Sequence, residues 1–148
     1  MIIEETSILS QGIIKFIHQH HLLSLATTEN NIPWCASCFY VFDNEKQQFI
    51  ITSDLETRHA KEALEQPVVA GTIALETAVI GKIRGIQFAG SIYQPVGKEL
   101  NAAKVHYLKK FPYAVLMKTH IWIINAEIIK FTDNRLGFGK KILWRRSQ

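Results

Sequence analysis

Residues 22–53 read LLSLATTENNIPWCASCFYVFDNEKQQFIITS, and the pattern of apolar and polar segments in them identifies the architecture. Three apolar segments, 22–28, 32–42 and 48–53, are separated by two short turns rich in Asn, Asp and Glu. Segments of this length with branched and aromatic residues are typical of β-strands, and short polar turns join antiparallel neighbours. These residues therefore predict a three-stranded antiparallel meander.

Three more strands are predicted downstream, at residues 68–75, 83–93 and 120–131. Several of the six strands have few polar positions, which indicates that both of their faces are covered. Gly85 and Gly90 lie inside the fifth strand and fit a sharply curved barrel. A chain of 148 residues suits one domain. We predict a mainly β fold, a six-stranded antiparallel barrel with flanking helices, over residues 1–148.

Three helices are predicted beside these strands, at residues 7–20, 57–66 and 98–110. Apolar residues recur in the first and third of them at near-helical spacing. Either Ser7 or Ser10 is a candidate cap for the first helix, and Pro67 and Pro112 end the other two.

Composition narrows the class of protein. The chain is 47% hydrophobic and 20% charged, which is typical of a folded globular domain rather than a disordered one. No apolar segment is long enough to span a bilayer, so no membrane association is expected. The first five residues lack the basic start of a secretory signal, and a cytoplasmic location is therefore expected.

Positive charge is concentrated at the C-terminal end. Residues 130–148 carry six Lys and Arg residues and one Asp, a net formal charge of +5. A basic segment of this kind is able to bind nucleic acid. We favour a solvated strand and C-terminus instead, because the sequence contains no RNA-binding aromatic motif and no helix-turn-helix pattern.

Both cysteines lie in one C-x-x-C motif, Cys35 and Cys38. Redox pairs of this type sit at a helix N-terminus, whereas this motif lies within a predicted strand. Residues three apart on a strand point to opposite sides, and no second C-x-x-C completes a zinc site. Buried core cysteines are the favoured interpretation over a redox or metal site.

An anion site is predicted where the strand 48–53 leads into the second helix. The segment ITSDLETRHAK at 51–61 ends a strand in Thr52 and Ser53 and opens a helix with Arg58, His59 and Lys61. A helix start presents unpaired backbone N–H groups and the positive end of its dipole. Hydroxyls, amides and cations together favour a phosphate ligand over a merely solvated helix face.

Gln87 is a second candidate ligand contact. Gly85, Gln87 and Ala89 share one face of the fifth strand, which leaves room for a ligand beside the amide. A bulge or a barrel corner filled by a neighbouring aromatic side chain explains the same pattern equally well. His20 and His21 are candidate heme ligands, although a surface cluster is favoured for them.

Several segments resemble a known group of proteins. They are WCA at 34–36, FY at 39–40, TRHA at 57–60, IRGIQF at 83–88 and FTDNRLGFGKK at 131–141 before Trp144. With this order of elements, the chain resembles the flavin-binding split-barrel superfamily named for pyridoxamine phosphate oxidase. Within that superfamily it is most similar to the small bacterial YhbP family.

The resemblance implies a homodimer with FMN bound at the subunit interface. It implies that strand two lies by the flavin ring, that the end of strand three lies by the ribityl–phosphate end, and that the next helix holds the phosphate. The residues carried over in this order are Ala36, Ser37 and Cys38; Thr52 and Ser53; and Thr57, Arg58 and His59. Lys61 adds a cation one turn on, and Gln87 matches a ring-contacting polar position.

The chain also departs from the oxidases. They have a lysine where this chain has His59, and their C-terminal arginine–histidine substrate motif is replaced by LGFGKK at 136–141. Oxidation of pyridoxamine phosphate is therefore not expected, and Lys140 is a candidate substrate contact. Related families use heme or the deazaflavin F420, which remain alternatives to FMN.

Two functional hypotheses follow from the residues and the resemblance. The first is a flavin-dependent oxidoreductase acting on an unidentified small molecule, in which FMN carries the redox chemistry and no protein nucleophile is needed. The second is a non-catalytic dimeric module that binds a flavin, a heme or another anionic ligand.

Overall fold

The computed structural model describes residues 1–148, the side chain of Ile2 excepted. Eight strands and three α-helices follow one another along the chain. They are β1 Ile2–Thr6, α1 Gln11–Gln19, β2 Leu22–Glu29, β3 Ile32–Asp43, β4 Gln48–Ser53, α2 Arg58–Glu65, β5 Val68–Ala74, β6 Arg84–Tyr93, α3 Gly97–Lys110, β7 His120–Asp133 and β8 Lys140–Arg145. Short 3-10 turns lie at Ile80–Lys82, Pro112–Leu116 and Asn134–Leu136.

Six strands close into a barrel in the order β7-β4-β3-β2-β5-β6, and β6 pairs again with β7. All pairings within this ring are antiparallel. The predicted six-stranded antiparallel barrel and meander are therefore confirmed. Gly90 lies against the backbone carbonyl of Asn125, beside a register shift in the β6–β7 pairing. Any Cβ at Gly90 would collide with that carbonyl, so this close approach requires glycine.

Two strands outside the ring were not predicted. β8 continues the sheet from the second half of β7, and β1 pairs with β8 in parallel. Their partners lie far away in the sequence, so no local turn signals them. The segment 131–141, one of the segments that carry the resemblance, holds the end of β7, a 3-10 turn and the start of β8.

The helices form at the predicted places; α1 and α2 have shorter limits, and α3 begins one residue earlier than predicted. α1 begins at Gln11 because Ser10, and not Ser7, caps it by accepting a hydrogen bond from the amide of Ile13. Thr57 caps α2 in the same way through the amide of Ala60. None of the described helices is long and apolar enough to cross a membrane.

Each helix covers a different part of the barrel. Phe16 and Ile17 of α1 and Ala60 and Ala63 of α2 are buried in the barrel core. α3 packs against the outer surface of β3, β4 and β7, where Tyr107 belongs to a second apolar cluster. Among the described residues, no helix covers the outer surface of β2, β3, β5 and β6. Along β2, β5 and β6, buried side chains alternate with more exposed ones.

Candidate functional site

Three polar side chains, those of Ser53, Thr57 and His59, meet where β4 ends and α2 begins. Arg58 is the first residue of α2, and we call these four residues the anion cluster. The hydroxyl oxygen of Ser53 lies 2.6 Å from Nε2 of His59 and 3.2 Å from the hydroxyl of Thr57. Oγ1 of Thr57 lies 3.3 Å from the same ring nitrogen. The first two helical amides, those of Arg58 and His59, have no acceptor four residues earlier within a helix. The cluster therefore offers hydroxyl, imidazole, guanidinium and amide donors together.

His59 is half-buried in this cluster, and burial is the main influence on its ionisation. Desolvation lowers its pKa, and the nearby carboxylate of Glu62 opposes this shift. At neutral pH the ring is therefore uncharged in the free protein, with Nε2 hydrogen-bonded to Ser53. A dianion placed beside the ring would favour the charged form instead.

Arg58 is held on two sides. Its Nε donates to Oε1 of Glu62 at 2.8 Å, and its guanidinium carbon lies 4.1 Å from the ring centroid of Trp34. Glu62 is buried and also accepts from the hydroxyl of Thr27 at 2.6 Å, and these two donors lower its pKa. In the described part of the chain nothing pairs with the two Nη groups of Arg58, so the oriented guanidinium keeps donors for a ligand.

Two predicted phosphate residues lie apart from the anion cluster. Lys61 is exposed and pairs with Glu56 at 3.1 Å. The hydroxyl of Thr52 lies 3.1 Å from that of Tyr107, and Thr52 lines a cleft of about 220 Å³ beneath α3. Thr52 and Ser53 are neighbours on one strand, so their side chains point to opposite faces. Of the six residues predicted for the phosphate end, the structure brings Ser53, Thr57 and His59 into contact, with Arg58 next to them at the start of α2.

A row of exposed polar side chains crosses the uncovered surface of the barrel. Ser37 pairs with Ser24, Ser24 with Thr72, and Thr72 with Gln87, so one residue from each of β3, β2, β5 and β6 lies in line. The next row holds only small residues, Cys35, Ala26, Ala70 and Ala89. We call these two rows the open sheet face. They form a surface without bulky side chains, and Gln87 lies on it.

The other predicted ring-side residues point away from this face. Cys38 is buried in the barrel core, and burial raises the pKa of its thiol to about 11. Ala36 is half-buried and has the same orientation on β3. Of residues 36–38, only Ser37 presents its side chain to the open sheet face, and the other two could meet a ligand there only through their backbone.

The cysteine pair follows the strand geometry but not the burial that we expected. Cys35 and Cys38 are free thiols on opposite sides of β3. Cys38 is a core residue as predicted, whereas the core prediction is wrong for Cys35, which is exposed. The side chain of Cys35 points outward in the small-residue row, where no helix covers it. Among the described residues, no group of His, Cys, Asp and Glu could hold a metal ion.

Ser53 and His59 have the spacing of a nucleophile and a base, but the arrangement lacks the remaining parts of a hydrolytic site. The third member of such a site orients the base through its other ring nitrogen. Glu62, the nearby carboxylate, is engaged with Thr27 and Arg58 instead.

The other candidates are distributed around the barrel. Nδ1 of His20 lies 2.8 Å from the carbonyl oxygen of Phe16 and its ring lies over the Phe16 ring, so His20 closes the end of α1. His21 is exposed. Lys140 begins β8 and lies 3.9 Å from Glu4. Within one chain, Lys140 and Ser53 lie near opposite ends of β7. Ser53 pairs with His120 at the start of this strand, and Lys141 pairs with Thr132 near its end.

Two residues of the site were not identified from sequence. Glu62 orients Arg58 and follows it by four positions, a spacing typical of helical ion pairs that could have indicated it. Trp34 approaches Arg58 from another strand, and no local pattern announces that contact.

The basic C-terminal segment is largely paired within the chain. Arg135 contacts Asp133 at 2.7 Å, Arg145 contacts Glu5 at 4.0 Å, and Arg146 contacts Glu127 at 3.9 Å. Arg146 also donates to the backbone carbonyls of Lys46 and Gln47. Arg146 therefore joins the C-terminus to the barrel, and Arg145 joins β8 to β1.

Known proteins resemble this chain in sequence and, at lower identity, in fold. No protein-family model matches it. UPF0306 protein plu4501 of Photorhabdus laumondii is 42% identical over 136 residues, which are 92% of this chain and 95% of that protein. UPF0306 protein YhbP of Escherichia fergusonii is 39% identical over 136 residues, 92% of each chain.

Solved structures share the fold at much lower identity. A heme binding protein from Mycobacterium smegmatis has a TM-score of 0.75 at 18% identity, covering 88% of this chain and 55% of that one. HutZ, a heme storage protein from Vibrio cholerae, has a TM-score of 0.68 at 14% identity, covering 81% and 91%. A FAD-binding protein from Mesorhizobium loti has a TM-score of 0.65 at 13% identity, covering 82% and 92%.

These likenesses confirm the resemblance seen in the sequence. The solved structures establish the fold, and the two UPF0306 proteins match nearly their whole length. The chain therefore belongs to the UPF0306 family, which includes YhbP, and it folds as a split barrel of the pyridoxamine phosphate oxidase type.

Proposed function

We propose that this chain is a homodimeric FMN-binding protein and that the bound flavin serves an oxidoreductase reaction on a small molecule. The observation that carries the proposal is the anion cluster, four donors from Ser53 to His59 gathered at the start of α2. When bound, FMN supplies the electron and hydride transfer chemistry. The chain's own residues then have to bind and orient the cofactor and exclude water.

The anion cluster fits a phosphate monoester. Arg58 is oriented by Glu62 and Trp34, and its free Nη groups match two phosphate oxygens. Ser53 and Thr57 offer hydroxyls, and the helix start adds amides and a favourable dipole. His59 supplies a ring nitrogen that becomes a charged donor beside a dianion. Lys61, paired with Glu56 and exposed, would strengthen the local potential without direct contact.

The open sheet face is suited to a flat ring system. Its polar row runs from Ser37 through Ser24 and Thr72 to Gln87. The adjacent row of small residues lets a planar group approach the sheet closely. We propose that Ser37, the backbone at Ala36 and Cys38, and the amide of Gln87 contact the isoalloxazine, while Thr52 lies towards the ribityl end.

A homodimer through this face completes the proposal. Leu22 and Phe39 are about half exposed beside the polar row, and the ring centroid of Phe39 lies 5.4 Å from that of Phe111 at the end of α3. Uncovered sheet faces with exposed apolar side chains mark interfaces between subunits. A second copy packed here would shield the cofactor from water. Lys140, which lies away from the anion cluster in its own chain, would reach a substrate only across such an interface.

The solved structures of similar fold support a planar, anionic cofactor, but they support heme and flavin equally. Two are named for heme and one for FAD, and both cofactors combine a flat ring system with acidic groups. A non-catalytic heme module is therefore the second candidate function. His20 favours it, because its Nδ1 already contacts a backbone carbonyl, which leaves Nε2 in the orientation typical of metal-binding histidines. F420 would bind the same cluster through its phosphate.

The deciding experiment is an absorption spectrum of purified protein mixed with FMN, riboflavin or heme and then desalted. We expect retained flavin bands with FMN and at least about tenfold weaker binding of riboflavin, which lacks the phosphate. Arg58→Ala should remove this preference, whereas Lys98→Gln, an exposed cation on α3, should keep it. A protein that retains no flavin and binds heme with a Soret band sensitive to His20→Ala would replace this proposal with the heme module.

A further inference from the structure

A cavity of about 360 Å³ lies between the start of α1 and the far end of β7. Lys15, Arg84, Arg135 and Asp133 line it with charge, and Phe131, Leu136 and Ile142 form an apolar wall. Its size lies in the range of small-molecule sites, and such sites combine apolar walls with a few convergent polar groups. Nothing in the proposed flavin site uses these residues.

The charged lining has an excess of cations. Asp133 is the only acid among the residues that line this cavity, against three basic side chains, so the net formal charge is +2. Arg135 already binds both carboxylate oxygens of Asp133, with Nε 3.0 Å from Oδ1 and Nη2 2.7 Å from Oδ2. The single carboxylate is therefore engaged by one guanidinium, and two of the three positive charges of the lining remain in excess.

Arg84 has the strongest need for a partner. Its side chain is 17% exposed, and its closest carboxylate oxygen, on Asp133, is 3.5 Å from Nε. That Nε atom is buried and has no hydrogen-bond partner among the described residues. The guanidinium also lies over the ring of Phe16, 5.0 Å from its centroid. A buried charged donor without an acceptor is costly, and an anion in the cavity would supply one.

This cavity is separate from the anion cluster. Ser53 pairs with His120 at the start of β7, and Arg84 pairs with Asp133 at its end. Asp133 follows His120 by thirteen residue steps of extended strand, a path of about 40 Å along β7. A ligand that fits a cavity of this size cannot bridge both sites in one chain.

We propose that the cavity is a second binding site of this protein and takes a small organic oxyanion, a carboxylate or phosphate monoester carried on an apolar body. Arg84 and Lys15 bind the oxyanion, Arg135 holds Asp133 away from it, and Phe131 and Leu136 contact the apolar part. The site does not depend on flavin, so it stands whether or not FMN is the cofactor.

Calorimetric titration with benzoate and phenyl phosphate tests the site, with benzyl alcohol as the neutral probe of similar shape. We expect benzoate to bind once per chain, phenyl phosphate to bind in the cavity and also at the anion cluster, and the alcohol not to bind. The affinity of both anions should fall as salt rises. Lys15→Gln removes an exposed cation and should weaken binding about tenfold, as should Arg84→Lys, which keeps the charge but loses the planar fork. Lys98→Gln should have no effect.

The Arg58→Ala variant separates this proposal from the flavin proposal. It should lose flavin binding, keep benzoate binding unchanged and retain one site for phenyl phosphate. The cavity proposal is wrong if neither anion binds at up to about 10 mM, or if Arg58→Ala abolishes binding while Lys15→Gln and Arg84→Lys leave it intact. The second result would place the anion in the cluster at α2.

Discussion

Nε2 of His59 lies 2.6 Å from the hydroxyl oxygen of Ser53, at the junction where a buried strand becomes a helix. The contact connects the last residue of β4 to the second residue of α2. It keeps an imidazole with a lowered pKa next to the helix amides and Arg58. In the proposed phosphate site, the His59 ring is thus uncharged when the site is empty and takes up a proton when a phosphate dianion binds.

This relationship predicts a specific pH dependence of FMN binding. Because the pKa of His59 is lowered in the free protein and a phosphate dianion would raise it, binding takes up a proton. Affinity should therefore increase as pH falls and decrease as pH rises through the pKa of the complex, by up to about tenfold per pH unit. Titration by quenching of flavin fluorescence above about pH 6.5 avoids protonation of the phosphate itself.

His59→Gln is the control, because glutamine keeps a hydrogen-bonding group and has no charge to gain. Its affinity should change little over the same pH range. Parallel pH profiles for the two proteins would show that His59 takes no part in phosphate binding.

Two helix caps of similar geometry allow stability to be separated from function. Oγ1 of Thr57 caps α2 and Oγ of Ser10 caps α1, each accepting an amide hydrogen bond at 3.3 Å. Thr57→Ala and Ser10→Ala should each lower the free energy of unfolding by about 0.5–2 kcal/mol in urea denaturation. Thr57→Ala alone should also weaken FMN binding, since its hydroxyl belongs to the anion cluster. Equal effects of both variants on FMN would contradict the assignment.

A charge on the open sheet face should prevent dimerisation. Ala70 is exposed in the middle of the small-residue row, and arginine there would bury a charge between subunits. We expect Ala70→Arg to be monomeric by light scattering at micromolar concentration and the wild type to be dimeric, as proposed. Val105→Arg on α3, where the native side chain is 70% exposed, is the matched control and should remain dimeric. A wild-type monomer would refute the interface.

The two thiols should report the same interface chemically. At pH 8 Cys38 should react with a thiol reagent only after unfolding, because burial raises its pKa to about 11 and thiolate is the reactive form. Cys35 is exposed in the single chain, so it should react quickly in the Ala70→Arg monomer and slowly in the wild-type dimer. Fast labelling of one thiol in both proteins would indicate that the dimer leaves the open sheet face uncovered.

Part of the site follows from local sequence. Thr57 as a cap, Arg58 at the first helical position and Pro67 after the helix are short-range signals, because capping and helix termination involve residues within one or two turns. They place α2 and the cations correctly. The same signals cannot show that Lys61 pairs with Glu56, or that Thr52 turns towards Tyr107 while Ser53 turns towards His59.

The sequence by itself determined the meander, the six barrel strands and the sites of the three helices, because these depend on apolar periodicity and on turn and cap residues. Only the tertiary structure decided that β1 and β8 extend the sheet, that Gln87 aligns with Ser37 across four strands, and that Arg84 lies over Phe16 beside Asp133. These relationships join residues that are far apart in the chain. Their energy comes from register, burial and charge pairing, which exist only once the barrel has closed.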